Sequence, residues 1–300
     1  MGILLVGYKA ADLNREILDG EVTCHVLDIY HQHAIEKVFP GTKVVCTPHL
    51  PKGDWQVVKF RTGPKLMSGE LALDLLQEAH GLGCPVEVDF IGRERDRNDL
   101  INKIKNDPKR VRSFRSEWPA SVPGGEKLMF TSYPGCFCHR RLDEGGLALA
   151  EVVSRELDGK GEGLKILDMG CGCGLVGLLI ARPGMELTMI DSHARAVEAA
   201  TENAAKFGVK ADVRLADNGI DDCSREWGSY DIFVGNPPYY SDYRIAEVFL
   251  NAAKKALKRG GVCYTVVKTA TGLKPVQEKF FAEVQVLPRR GYSILKSVMV

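Results

Sequence analysis

Leu164-Lys165-Ile166-Leu167-Asp168-Met169-Gly170-Cys171-Gly172-Cys173-Gly174-Leu175-Val176-Gly177 reads as a strand, a glycine turn and the beginning of a helix. Ile166, Leu167 and Met169 form a short apolar run of the kind buried in a parallel sheet, and an apolar, helix-compatible segment follows from Leu175 to Ala181. The glycines let the backbone bend sharply and approach a ligand without Cβ atoms in the way, while the next helix offers unpaired N–H groups. Such a turn suits a nucleotide cofactor.

Gly172-x-Gly174-x-x-Gly177 alone also fits a dinucleotide-binding turn. Two further features favour a different cofactor. Asp168 stands two residues before the first glycine, giving Asp-x-Gly-x-Gly-x-Gly, and Asn236-Pro237-Pro238-Tyr239 directly follows the apolar run from Tyr230 to Val234. Together they resemble the class I S-adenosylmethionine methyltransferases that act on planar nitrogens.

The composition sets limits around this turn. A chain of 300 residues that is 45% hydrophobic suggests two α/β domains. The net charge of +1 makes nucleic-acid affinity the business of a local patch. Nine cysteines with no evident signal peptide predict free thiols in a reducing, cytoplasmic setting. No apolar run reaches membrane-spanning length.

In chain order, strands are predicted at Ile3 to Val6, Cys24 to Ile29, Lys43 to Cys46, Gln56 to Phe60 and Val86 to Ile91. Helices are predicted between them at Asp12 to Leu18, Ala34 to Phe39 and Glu70 to Ala79, the last with Ser68 as N-cap. Strand–helix alternation implies a doubly wound parallel sheet. The second half repeats that order faintly: His25 to Asp28 parallels Leu187 to Asp191, and Trp55 to Phe60 parallels Tyr230 to Val234. The first copy lacks the triple-glycine turn and carries Gly63-Pro64-Lys65 where the second has Asn-Pro-Pro. It reads as a non-catalytic duplicate over 1–117, with the catalytic domain over 118–300.

Near the junction, Arg93, Arg95, Arg97, Lys103, Lys105, Lys109, Arg110, Arg112 and Arg115 outnumber Glu94, Asp96, Asp99 and Asp107. Phosphate contact and a solvated linker helix both account for that excess. Pro119, Pro123, Gly124 and Gly125 mark the boundary. Beyond it, a helix is predicted to open at Leu142-Asp143-Glu144-Gly145, capped by Asp143. The last elements are a helix Ile245 to Leu257, a stop at Gly260-Gly261, a strand Val262 to Val267, a helix Pro275 to Phe281 and two closing strands. A seven-stranded sheet with its last pair antiparallel would result.

Asp191 ends the second strand of this half, where an acid accepts bonds from ribose hydroxyls; Ser192 follows it. Asp217 and Asn218 end the third strand, where they would meet adenine or form a turn. Asp168 would orient the glycine loop or meet the methionine amino group. The cofactor set is therefore Asp168, Gly170, Cys171, Gly172, Gly174, Asp191, Ser192, Asp217, Asn218 and Asn236. The acceptor set is Asn236, Pro237, Pro238 and Tyr239: two oxygens grip a conjugated amine, two prolines stiffen the corner, and Tyr239 stacks on a planar target. Cys136-x-Cys138-His139 and Cys171-x-Cys173 lack the usual zinc spacing, so no metal is predicted.

The glycine turn, Asn-Pro-Pro-Tyr, the Leu-Asp-x-Gly segment and the degenerate first copy together resemble the small-domain methyltransferase superfamily. Within it the chain is most similar to the ribosomal RNA guanine-N2 methyltransferases, whose first domain is a dead duplicate that helps hold RNA. That likeness implies S-adenosyl-L-methionine as cofactor, guanine N2 as target, ribosomal RNA or a ribosomal particle as substrate, and a monomer. Those enzymes commonly carry Phe where Tyr239 stands. Relatives acting on adenine N6 or on a release-factor glutamine use Tyr, so those targets stay open, as does a non-enzymatic RNA-binding factor.

Overall fold

The structure is a computed structural model describing residues 2–105, 113–159, 161–218, 226–238 and 243–300. The chain divides into two compact units. The first comprises Met1–Arg115 with the short segments Tyr133–Gly135 and His193–Arg195, and the second comprises the remainder.

The first unit contains β1 (Gly2–Val6), β2 (Val22–Val26), α1 (Ile29–Val38), β3 (Lys43–Cys46), β4 (Trp55–Thr62), α2 (Gly69–Gly81), β5 (Val86–Phe90) and α3 (Glu94–Lys105). Its five strands are all parallel, in the order β3-β2-β1-β4-β5. Side chains alternate across β1. Leu4 and Val6 join Val58, Phe60 and the Leu71, Leu75, Leu76 face of α2, whereas Leu5 joins Cys24, Val26 and Ile35 of α1. Both faces of the sheet are therefore covered, as a parallel sheet requires. Ser68 caps α2 through a bond from the Leu71 N–H.

The predicted helix Asp12 to Leu18 does not form. A single 3₁₀ turn, Ala10–Asp12, stands in its place. Asp12 accepts the Lys9 N–H and Asn14 the Ile17 N–H, so short polar side chains satisfy the backbone locally and compete with helix propagation. The basic segment enters α3, while Lys109, Arg110 and Arg112 lie outside the described residues.

The second unit begins with a hairpin that the sequence reading missed, β6 (Ser116–Ala120) against β7 (Leu128–Ser132), antiparallel. Pro119 lies within β6, and Pro123, Gly124 and Gly125 belong to the connection between the two strands. There follow α4 (Glu144–Glu156), β8 (Lys165–Met169), α5 (Leu175–Ile180), β9 (Glu186–Asp191), α6 (Ala194–Lys206), β10 (Ala211–Leu215), β11 (Tyr230–Gly235), α7 (Arg244–Ala256), β12 (Leu257–Val267), α8 (Ala270–Gln277), β13 (Gln285–Arg289) and β14 (Tyr292–Val298). The seven strands order as β10-β9-β8-β11-β12-β14-β13, and only β14 runs antiparallel to its neighbours. The first five repeat the order of the smaller sheet. Phe233, Phe249, Leu250, Ala253, Val267 and Leu295 build the core beneath α7, while α4 packs on α5 and β12.

Two expectations here are corrected. Gly260 and Gly261 do not precede the strand; they sit inside β12, where its pairing with β11 shifts register. Pro275 does not start the last helix but lies within α8. At its end Gln277, fully buried, accepts from the Thr265 hydroxyl at 2.7 Å and donates to Ser297 at 2.9 Å, which pins the helix to the sheet. Phe60→Ala should cost the first unit about 3–5 kcal/mol, because the ring is wholly buried under α2. Urea titration of the full chain should show the loss as an earlier transition.

Candidate active site

The ends of β8, β9, β10 and β11 gather the predicted residues at the C-terminal edge of the larger sheet, where open α/β sheets bind ligands. Asp168 lies in β8 and is 2% exposed. Its Oδ2 accepts the Gly177 N–H at 2.8 Å, so it holds the start of α5 close to the strand. A side chain at residue 177 would meet that carboxylate at 2.9 Å, which accounts for the third glycine of the motif. Burial pushes the Asp168 carboxyl up to about 7; the Gly177 N–H opposes this and the charge of Asp191 adds to it.

The turn itself has positive φ at Gly170, Gly172 and Gly174. Gly174 is the left-handed N-cap of α5, and a Cβ there would strike Leu178 at 2.8 Å. Gly172 differs: a Cβ on it would meet nothing within 4 Å, so the turn faces open space at this residue. Asp191 supports the turn, its Oδ2 accepting the Gly172 N–H at 2.8 Å, and the Gly170 and Cys171 N–H groups both donate to the Ile190 carbonyl. Ser192 follows Asp191, and Asp217 and Asn218 follow β10; all three are partly exposed on the same edge. The buried Cys171 and Cys173 thiols are raised by desolvation and stay protonated. Among the described residues no group of three or more His, Cys, Asp or Glu could hold a metal ion.

Asn203 was not anticipated. Fully buried in α6, it receives the Thr131 N–H on Oδ1 at 2.8 Å and donates Nδ2 to the carbonyls of Thr131 and Cys173, each at 2.9 Å. It therefore ties the glycine turn to β7. Its signal in the sequence is faint, an amide among the alanines of the helix's apolar face.

Asn236 directly follows β11. Its Nδ2 donates to Asp143 Oδ2 at 2.8 Å, while Asp143 Oδ1 takes the Gly145 N–H at 3.0 Å and caps α4. The sequence reading made Asp143 an N-cap; its hold on Asn236 was not anticipated. A side chain at residue 146 would approach Asp143 Oδ2 to 2.5 Å, so the Asp-x-Gly-Gly spacing makes room for the carboxylate. Burial raises the Asp143 pKa, opposed by bonds from Gly146, Asn236 and Gly145. With its nitrogen on Asp143, the Asn236 amide turns its oxygen elsewhere. Pro237 is buried and Pro238 half-buried; Tyr239 lies outside the described residues.

Strained backbone clusters around these parts. The described non-glycine residues with positive φ are Cys138 and Arg140, just before Asp143, Tyr243 at the N-cap of α7, and Arg290 between β13 and β14. In the first unit the corresponding strand ends look different. Gly7-Tyr8-Lys9 follows β1, and the Arg61 guanidinium pairs with Asp12 at 3.1 Å and with Asp89, with the Tyr8 ring 5.6 Å away. Ion pairs close that edge, with no glycine turn.

A family model described as methyltransferase small domain matches residues 127–296. The ribosomal RNA small subunit methyltransferase C of Alcanivorax borkumensis is 34% identical over 52% of this chain and 47% of its own length. The ribosomal RNA large subunit methyltransferase G of Streptomyces griseus is 33% identical over 51% of this chain and 40% of its own. The chain thus spans about half the length of the curated relatives it matches, or less. A T. thermophilus 16S rRNA N2 methyltransferase, solved with AdoMet and guanosine, superposes with a TM-score of 0.83 at 19% identity, over 100% of this chain and 88% of that one. At that identity the likeness is one of fold.

Asn203→Ala would leave one buried N–H and two buried carbonyls without their partner, at about 1–3 kcal/mol each. Asn203→Asp should fail similarly, since a carboxylate cannot donate to carbonyls. Chemical denaturation of the two variants checks both statements.

Proposed function

Since this chain belongs to the methyltransferase small-domain family, whose model spans more than half of it, we propose that it transfers a methyl group from S-adenosylmethionine to the exocyclic amino group of a guanine in ribosomal RNA. The carrying observation is the Asn236–Asp143 bond, which leaves the Asn236 oxygen as an acceptor beside a stiff Pro-Pro corner. The guanine-N2 target is supported by the two-unit fold and by relatives named as ribosomal RNA methyltransferases of both subunits.

The donor fits the residues present. The open face at Gly172 is a cradle that a side chain would fill, and the buried Asp168 offers a countercharge to an ammonium group. Asp191 would hold the ribose, and Ser192, Asp217 and Asn218 would line the adenosine. Bound there, the donor supplies an electrophilic methyl on a sulfonium. The protein's own task is alignment. Asn236 Oδ1 and the Pro237 carbonyl each accept one N–H of the acceptor amine, hold the nitrogen, and turn its lone pair outward from conjugation. Proline rings keep that corner stiff.

The first unit would act as a non-catalytic domain that helps to hold RNA, a reading supported by its closed strand edge at Arg61. Its natural substrate would be ribosomal RNA, bare or within a particle, met in the cytoplasm by a monomer; no helix among the described residues is long and apolar enough to cross a membrane. Tyr239 favours a second reading, with adenine N6 or a protein glutamine as acceptor. Labelled donor incubated with unmodified ribosomal RNA or with release factor separates the two: label in the RNA guanine supports the first, and label only in protein overturns it.

Asn236→Ala should lower transfer at least about a hundredfold while leaving donor affinity nearly unchanged. Equilibrium dialysis showing a large loss of donor binding would count against its acceptor role. Asp168 gives a pH prediction. Its carboxyl is raised, so the folded chain keeps a proton that the unfolded chain releases, and its contribution to stability falls as pH rises from about 4 toward 7. A cationic donor prefers the ionised carboxylate, so donor affinity should climb with pH until about 7 and then level off. Calorimetry should find that climb flattened in Asp168→Asn.

A further inference from the structure

Lys268 immediately follows β12, whose Thr265 pairs with Gly235 of β11, so it emerges at the same sheet edge as Asn236. Its Nζ lies 4.1 Å from the centroid of the Tyr292 ring, a cation–π distance. The ring has little freedom. Tyr292 opens β14 opposite Arg289, and the two residues between them, Arg290 and Gly291, both have positive φ, as a two-residue hairpin loop of primed type requires. On another side its Cε1 and Cδ1 stand 3.2 and 3.5 Å from where a Cβ of residue 145 would be. Gly145 donates to Asp143, and Asp143 holds Asn236. The aromatic ring thus lies against the turn that orients the acceptor-gripping amide.

Charge separates Lys268 from its neighbours. Lys274, Lys279, Arg289, Arg290 and Lys296 each pair with a carboxylate of Glu278, Glu247, Glu151, Glu144 or Glu156. Among the described residues no carboxylate pairs with Lys268. An ammonium held over an aromatic face keeps its N–H donors for an anion, and a strand of nucleic acid brings one at every residue.

We propose that Lys268 binds the phosphodiester beside the acceptor base, and that Tyr292 is the positioning residue that holds its ammonium there. The proposal rests on the RNA reading above and deepens it: the substrate is a nucleotide within a strand, gripped on its backbone as well as its amine.

The test measures KM for an unmodified ribosomal RNA fragment across a salt series, with kcat and donor affinity measured alongside. Lys268→Ala should raise KM roughly three- to tenfold at low salt, and should lessen the logarithmic salt slope by about 0.7 to 1, the share of one phosphate contact. Donor affinity and kcat should not move. Lys268→Arg should restore both KM and slope. Tyr292→Phe keeps the ring and should match the unaltered chain, whereas Tyr292→Leu should reproduce Lys268→Ala and add nothing to it in the double variant. An unchanged salt slope in Lys268→Ala, or a Tyr292→Leu defect that persists at full size without Lys268, overturns the proposal. Failure of the unaltered chain to methylate any RNA strikes down the reading beneath it, and is distinguishable because no KM can then be measured.

Discussion

A carboxylate can accept hydrogen bonds but not donate them, and that asymmetry fixes the two groups that meet at Asp143. Asp143 takes the Gly145 N–H on one oxygen and the Asn236 amide nitrogen on the other. The amide is thereby held nitrogen-inward, with its oxygen turned away from Asp143. Free rotation of the Asn236 side chain would present donors and acceptors alike on that side of the turn. The residue that caps α4 thus also fixes the Asn236 amide at the end of β11.

The donor side is organised by the same economy of means. Asp168 and Asp191 are both committed to N–H groups of the glycine segment, Gly177 and Gly172, so the two carboxylates shape the turn as well as charging it. Asn203 completes the support from below, joining the Cys173 carbonyl to both polar groups of Thr131. The Asp168 and Asn203 bonds lie out of water, where losing a partner is far more costly than on the surface. The turn is consequently a rigid platform open on one face, at Gly172.

The two sheets share the order of their first five strands, yet their C-terminal edges differ in chemistry. In the second unit glycines leave space there. In the first, Arg61, Asp12, Asp89 and Tyr8 occupy the corresponding edge with ion pairs and an aromatic contact. The same strand order thus carries glycines at one edge and paired charges at the other.

Much of this was legible in the order of the residues. The strand–glycine–helix pattern at 164–177, the Asn-Pro-Pro corner after an apolar run, the seven-stranded sheet with its antiparallel end and the repeated α/β order all rest on local periodicity and turn chemistry, which neighbouring residues determine among themselves. Where local signals competed, sequence reading erred: Asp12 and Asn14 turned a predicted helix into a single turn, and α8 runs through Pro275 where the proline was read as its start. What only the tertiary structure decided is which distant polar groups meet. Asp143 and Asn236 are 93 residues apart, Thr131 and Asn203 are 72 apart, and Lys268 meets Tyr292 beside the β12–β14 ladder. No periodicity records such pairs, because a side chain's partner depends on how the sheet's edge brings separate loops together, and that is settled only when the whole core packs.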